Sequence, residues 1–148
     1  MRTLIVLTAL AAVAALAFPA TSMSEPTAAL ASTLTAKSSR FGRVLFDGRG
    51  FVLYAFTRDP RGRSACSGAC ATAWPPYVAT GKLSAGAGVT RSLLGTTRRR
   101  DGKLQVTYAG RPLYHYVGDR SPGQILCQNV DEFGGLWLVV RPNGKVVR

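Results

Sequence analysis

Histidine, methionine and acidic side chains are scarce in this sequence, and their scarcity excludes several kinds of site. His115 is the only histidine, and both methionines, Met1 and Met23, stand in the first 24 of 148 residues. Zinc takes three or four protein ligands and copper favours His, Cys or Met, so we predict no metal site and no cofactor. The sequence also lacks a nucleophilic serine elbow, a paired-carboxylate motif and a phosphate-binding glycine loop. We therefore predict no catalytic residues.

Long apolar runs are equally scarce. The one long run, from Leu4 to Phe18, is shorter than the ~20 residues that a membrane-spanning helix needs. Arg2 precedes the run, and a proline and several small residues follow it, which is the pattern of a secretory signal peptide over residues 1–24. No cysteine lies at the end of the run, where a lipid would be attached, so the sequence argues against a lipid-anchored precursor.

The stretch after the predicted signal peptide is small and polar. Residues 25–40 show no sustained hydrophobic period, and we predict that they form a flexible leader. The remaining residues, 41–148, have the size of one ordinary domain.

Positively charged residues far outnumber negatively charged ones in this sequence. The chain has 19 Lys and Arg against 7 Asp and Glu, and loss of Arg2 with the signal would leave 18 against 7, a formal +11. This surplus favours an anionic neighbour, such as a cell-wall polymer or a membrane surface. No nucleic-acid motif or aromatic-interleaved basic stripe accompanies the charge, so nucleic acid is not a predicted partner. The densest cluster, residues 98–100, precedes the Asp101-Gly102 turn and predicts a solvated hairpin end.

A six-residue pattern occurs twice, sixty positions apart: "YAFTRD" from Tyr54 and "YHYVGD" from Tyr114. Each copy follows a turn between two runs of aromatic and β-branched residues, which indicates a β-hairpin. We predict a mainly β domain, built from two hairpin-containing repeats with one or two short helices. The repeats would cover about 41–100 and 101–148. Their shared residues are Tyr54, Phe56, Asp59, Tyr114, Tyr116 and Asp119.

The repeated residues have a structural and a functional interpretation. Residues two apart in a strand point to one face, so the two aromatic rings of each copy lie on the same side. The aspartate follows the strand end, where a carboxylate can accept backbone N–H bonds and hold a turn. We interpret the motif as aromatic packing with a turn-holding acid. The alternative is a small-ligand site between the copies, lined by Tyr54 or Tyr114.

Three cysteines, Cys66, Cys70 and Cys127, allow one disulfide and one unpaired thiol. A Cys66–Cys70 bridge would contribute about 2 kcal/mol, and a bridge to Cys127 would close a far longer ring and contribute about 4 kcal/mol. Local concentration favours the short ring, so the residues alone leave the pairing open. A short bridge requires an irregular helix, because Cβ atoms four apart on a regular helix are ~5–6 Å apart. Gly68 would permit that distortion.

Four stretches in this order carry a family resemblance: "VLFDGRGFVLYAFTRD", "SACSGACATAWPP", "DGKLQVTYAGRPLYHYVGD" and "FGGLWLVVRPNGK". Together they resemble the bacterial secreted-repeat proteins of unknown function, which are predicted lipoproteins with a Tyr-x-aromatic-x-x-Asp motif. The resemblance implies an exported envelope protein of two repeats with no established activity. It also favours a Cys66–Cys70 disulfide, with Cys127 either unpaired or an alternative partner.

The excess of positive charge, the predicted signal peptide and the lack of a catalytic motif together suggest what kind of protein this is. We expect an exported or cell-surface, non-enzymatic module that binds or organises an anionic envelope component. The alternative is a redox or electron-transfer accessory protein that uses its cysteines, although no thioredoxin-like context surrounds them.

Overall fold

The computed structural model describes residues 32–148, so the predicted signal peptide and the first part of the predicted leader lie outside the described residues. Within this range the fold is mainly β, with one short α-helix and one turn of 3-10 helix, as predicted. The strands are β1 Ser32–Ser39, β2 Gly42–Asp47, β3 Tyr54–Phe56, β4 Leu83–Ala85, β5 Leu94–Arg98, β6 Leu104–Tyr108, β7 Arg111–Pro112, β8 Val130–Glu132 and β9 Gly135–Val139. The helices are α1 Ala69–Ala73 and the 3-10 helix Arg91–Leu93.

The strands form three small sheets of three strands each. Their orders are β2-β1-β4, β3-β9-β8 and β5-β6-β7. All neighbours pair antiparallel except β1 and β4, which are parallel. The hairpins β1–β2, β5–β6 and β8–β9 connect strands that are adjacent in the chain, which is the usual arrangement for short turns.

Strand β1 corrects the predicted leader, which was expected to reach residue 40. β1 pairs with β2 along its length, from Leu34 opposite Asp47 to Ser39 opposite Gly42. Leu34 has 0% exposure and Ala36 is also buried, with half-buried or exposed residues between and beyond them. The alternation is that of a half-buried strand. It is hard to detect in the sequence because Leu34 is the only large apolar side chain of β1.

Both repeats also begin earlier in the chain than predicted, because the first strand of each copy is hard to detect in the sequence. Hairpin β5–β6 occupies in the second copy the place that β1–β2 occupies in the first. The first copy therefore begins with β1, ahead of residue 41, and the second copy begins with β5, ahead of residue 101. In each copy the same backbone bond extends the hairpin: Leu53 N donates to Leu45 O and Leu113 N to Val106 O, both at 3.0 Å.

The copies are intertwined rather than placed side by side. Leu45 N in the first copy donates to Val140 O near the end of the second, at 2.8 Å. Val106 N in the second copy donates to Tyr77 O near the end of the first, also at 2.8 Å. Each hairpin therefore needs backbone from the other copy to satisfy its buried polar groups. The sheet β3-β9-β8 also combines a strand of the first copy with two strands of the second.

An approximate twofold axis relates the copies at Tyr54 and Tyr114. The backbone N–H of each residue donates to the carbonyl of the other, and both bonds measure 2.9 Å. A reciprocal antiparallel pair between equivalent positions places the axis between them. The two sides of these segments face different cores. The tyrosines enter an aromatic cluster with Trp74 and Trp137, whereas the neighbouring leucines enter an aliphatic cluster.

Candidate functional site

The two tyrosine–aspartate pairs cross between the copies. Tyr54 Oη donates to Asp119 Oδ2, and Tyr114 Oη donates to Asp59 Oδ2, both at 2.7 Å. Both tyrosines have 0% exposure, Asp119 is buried and Asp59 is half-buried. The motif of one copy is therefore completed by the motif of the other. The sequence showed the repetition but contained no signal for this exchange of partners.

The second oxygen of each carboxylate holds the loop that follows its own motif. Asp59 Oδ1 accepts the Ala65 N–H at 2.7 Å, and Asp119 Oδ1 accepts the Leu126 N–H at 2.9 Å. Burial raises the pKa of both carboxyls above the usual range, although these hydrogen bonds oppose the rise. Burial and the neighbouring carboxylates also raise the pKa of both tyrosines, which keeps the phenols neutral as hydrogen-bond donors.

The aromatic rings form one stack through the centre of the molecule. Phe56 stacks on Trp137 with centroids 4.2 Å apart, Trp137 on Trp74 at 4.0 Å, and Trp74 contacts Tyr116 at 4.7 Å. Such contacts add to the stabilisation that burial of the rings already provides.

The two motif tyrosines pack edge-on against this stack. Tyr54 contacts Trp74 with centroids 5.2 Å apart, and Tyr114 contacts Trp137 at 5.1 Å. Because both rings are fully buried and both hydroxyls are bonded, they present no surface to a ligand. The hypothesis of a ligand site lined by these tyrosines is wrong for this conformation.

The disulfide joins Cys66 to Cys70, and Cys127 is a buried free thiol. The pairing implied by the resemblance is thus confirmed. Helix α1 begins after Gly68, whose φ of 56° is a left-handed value suited to glycine, so Cys66 lies outside the helix and the short ring can close. Cys127 follows the loop residue that Asp119 holds, as Cys66 follows the one that Asp59 holds. Cys127 therefore takes in the second copy the place of Cys66.

The arginine cluster at residues 98–100 is only partly a solvated hairpin end. Arg98 and Arg100 are exposed at the β5–β6 turn, but the Arg99 side chain is 6% exposed. Its guanidinium donates to Ser64 Oγ at 2.8 Å, to Gln105 Oε1 at 2.7 Å and to the Cys66 carbonyl at 2.8 Å. Burial is possible because a fork of five donors can bind several acceptors at once.

The single histidine lies beside a buried carboxylate in a cleft of about 660 Å³. His115 Nε2 is 3.1 Å from Asp47 Oδ2, and Asp47 also accepts bonds from the backbone N–H groups of Arg49 and Phe51, both at 2.9 Å. Burial alone would raise the pKa of Asp47, but the His115, Phe51 and Arg49 interactions outweigh it and lower that pKa to about 2. The carboxylate is therefore an anion held by internal donors, and His115 serves to bind it.

Residues 32–148 contain neither a cluster of metal ligands nor a membrane-spanning helix. No three His, Cys, Asp or Glu side chains in that range are grouped so as to hold a metal ion. No helix formed by the same residues is long and apolar enough to cross a membrane.

Comparison with known proteins agrees with the duplicated architecture. Residues 35–77 and 95–141 each match the model of a secreted repeat of unknown function. The chain belongs to this family. The first matched segment begins within β1 and the second within β5, which supports the corrected repeat boundaries. No curated protein and no solved structure matches the chain. The family assigns secretion and repetition, and it assigns no activity.

Proposed function

We propose that this secreted repeat protein is a non-enzymatic module that binds an anionic component of the cell envelope through its cationic surface. The observation that supports this proposal is how the fold sorts its charges. Acidic side chains are mostly drawn inward to bind internal donors, whereas basic side chains are left outside.

Four of the six acidic residues in the range 32–148 are buried or half-buried, and each of the four has an internal partner. Asp47, Asp59 and Asp119 bind the donors described above, and Glu132 Oε2 accepts the Trp74 Nε1–H bond at 2.8 Å. The two exposed acids in that range are Asp101 and Asp131. None of the four bound carboxylates is free to act as a general acid or base, which is consistent with a non-enzymatic role.

The basic residues are distributed in the opposite way. Of the eighteen Lys and Arg residues in the range 32–148, Arg99 is buried and Arg141 is half-buried. The sixteen exposed ones are Lys37, Arg40, Arg43, Arg49, Arg58, Arg61, Arg63, Lys82, Arg91, Arg98, Arg100, Lys103, Arg111, Arg120, Lys145 and Arg148. The surface is therefore more one-sided in charge than the composition suggests, and its field attracts polyanions.

Salt dependence tests the proposal. The mature protein would be mixed with isolated anionic wall polymer and, separately, with vesicles of anionic or zwitterionic lipid, from low to high salt. We expect binding to at least one anionic surface, with little to zwitterionic vesicles. The binding should weaken steeply as the Debye length falls from ~10 Å at 0.1 M to ~3 Å at 1 M. Absent binding, or binding unaffected by salt, would refute the proposal.

A further inference from the structure

We propose that the duplication creates two similar basic clefts, each of which takes a phosphate-rich segment of an anionic polymer, so that one chain has two polymer sites. This inference rests on the proposed function and specifies its ligand and its stoichiometry. It follows from the position of two clefts relative to the approximate twofold axis.

The first cleft, of about 590 Å³, lies between the turn of hairpin β1–β2 and the loop that follows the second motif. Lys37 and Arg40 provide its charge, and no acidic residue lines it. Arg40 Nη2 donates to the Ile125 carbonyl at 2.7 Å, which fastens the hairpin turn to the opposite wall. Leu126 in that wall is 54% exposed. The cleft thus joins the hairpin of one copy to the loop of the other.

The second cleft, of about 450 Å³, lies between the turn of hairpin β5–β6 and the loop that follows the first motif. Arg100 provides its exposed positive charge, Arg99 lies buried in its wall, and Asp101 also lines it. Arg99 Nη2 donates to the Cys66 carbonyl at 2.8 Å, which fastens this hairpin turn to its opposite wall. Asp101 Oδ2 lies 3.7 Å from Arg99 Nε and partly offsets the positive charge.

The two clefts are built by similar contacts, although the arginine is exposed in the first cleft and buried in the second. In each, an arginine of a hairpin turn donates to a loop carbonyl of the other copy. In each, the motif aspartate holds the loop through a backbone N–H, of Leu126 in the first cleft and of Ala65 in the second. The approximate twofold relation that pairs the tyrosines therefore places the two clefts at corresponding hairpin turns and loops.

Repetition of the site indicates the class of ligand. A rigid domain with two like sites suits a polymer that presents the same anionic group many times, because occupation of one site raises the effective concentration at the other. Arginine and lysine are the usual partners of phosphate, arginine through its planar donors and lysine as a point charge. Because Asp101 lines only the second cleft, we expect the first cleft to bind more tightly.

The test measures stoichiometry with tripolyphosphate as the short probe and long-chain polyphosphate as the polymer, by titration calorimetry of the mature protein at low salt. The variants are Lys37→Gln for the first cleft, Arg100→Gln for the second, and both together. Both side chains are exposed, so the fold should survive their replacement. The matched control is Lys82→Gln with Lys145→Gln, which removes two exposed charges outside both clefts.

We expect two tripolyphosphate sites in the wild type and the control, and one in each single cleft variant. The cleft double variant should bind long-chain polyphosphate at least about tenfold more weakly than the control, since it loses both sites that supply avidity. An equal loss in cleft and control double variants would overturn the two-cleft inference and leave the proposed function standing. Binding to anionic vesicles without binding to either phosphate probe would overturn the polymer assignment alone. Failure of every anionic probe would refute both.

Discussion

Replacement of Tyr54 by phenylalanine tests the exchange of hydrogen bonds between the copies. The variant keeps the ring against Trp74 and removes only the hydroxyl that donates to Asp119 at 2.7 Å. Asp119 is 7% exposed, so water cannot readily replace the lost donor. Its other oxygen still accepts the Leu126 N–H. The carboxylate is therefore left partly unsatisfied in a buried place.

A hydrogen bond to a charged group contributes roughly 1.5–3 kcal/mol, and we expect Tyr54→Phe to lower the free energy of unfolding by about 2 kcal/mol at neutral pH. The matched control is Tyr108→Phe. Tyr108 is equally buried, but its hydroxyl donates to the Pro142 carbonyl and accepts the Thr90 N–H, which are uncharged partners. The control loses two neutral hydrogen bonds of about 1 kcal/mol each, so its loss should be about 2 kcal/mol, and pH dependence distinguishes the two variants.

The loss in Tyr54→Phe should depend on pH. Burial raises the pKa of Asp119, and the Tyr54 bond opposes that rise, so removing the hydroxyl raises the folded-state pKa further. A raised folded-state pKa means that stability is lost as pH rises from the unfolded value of 3.8 through the folded one. As the pH rises to neutral, the variant therefore loses more stability than the wild type does. Its deficit should shrink near pH 3, where Asp119 is protonated.

Urea unfolding at pH 7 and near pH 3, followed by tryptophan fluorescence, measures both effects. Trp74 and Trp137 are both fully buried and report loss of the aromatic stack. The control variant should show the same deficit at both pH values. A Tyr54→Phe deficit below about 0.5 kcal/mol at pH 7, far under the expected contribution of a charged hydrogen bond, would contradict the reasoning. So would a deficit equal at both pH values.

Two further predictions concern β1 and Asp47. Leu34→Ala should lower the free energy of unfolding by about 3 kcal/mol, as for other buried leucines. A calorimetric melt that shows no change would instead support the predicted flexible leader. Asp47→Asn should be less stable at neutral pH, because three internal donors lose their anion. Wild-type stability should fall as pH drops from 3.8 towards the folded pKa of about 2, and the Asn variant should lack this component in urea titrations at stepped pH.

The fold class was accessible from sequence because its signals are local. Paired hairpin turns, strand-spaced aromatics and the sixty-residue offset were all visible without coordinates. The first strand of each copy was not, because β1 and β5 are rich in Ser, Thr and Gly and carry few large apolar side chains. Burial of such strands depends on the pairing they find, and composition alone does not report it.

Less of the candidate site than of the fold could be predicted from the sequence. The sequence identified the motif aspartates as turn-holding acids, and one oxygen of each does hold its loop. Their bonds to the tyrosines of the other copy, the burial of Arg99 and the attachment of His115 to Asp47 were not foreseen. The tyrosine–aspartate bonds, the His115–Asp47 contact and the bonds from Arg99 to the loop of the first copy all join residues more than 30 positions apart in the chain.

By itself the sequence determined the duplication, the mainly β character and the excess of positive charge, because each is a property of residue order or composition. Only the tertiary structure decided that the copies intertwine, that each motif aspartate binds the tyrosine of the other copy, and that Arg99 is buried while most other cations stay exposed. The first two features arise from the approximate twofold pairing at Tyr54 and Tyr114. Long-range pairing of this kind has no local signature, since its geometry exists only once both copies are folded.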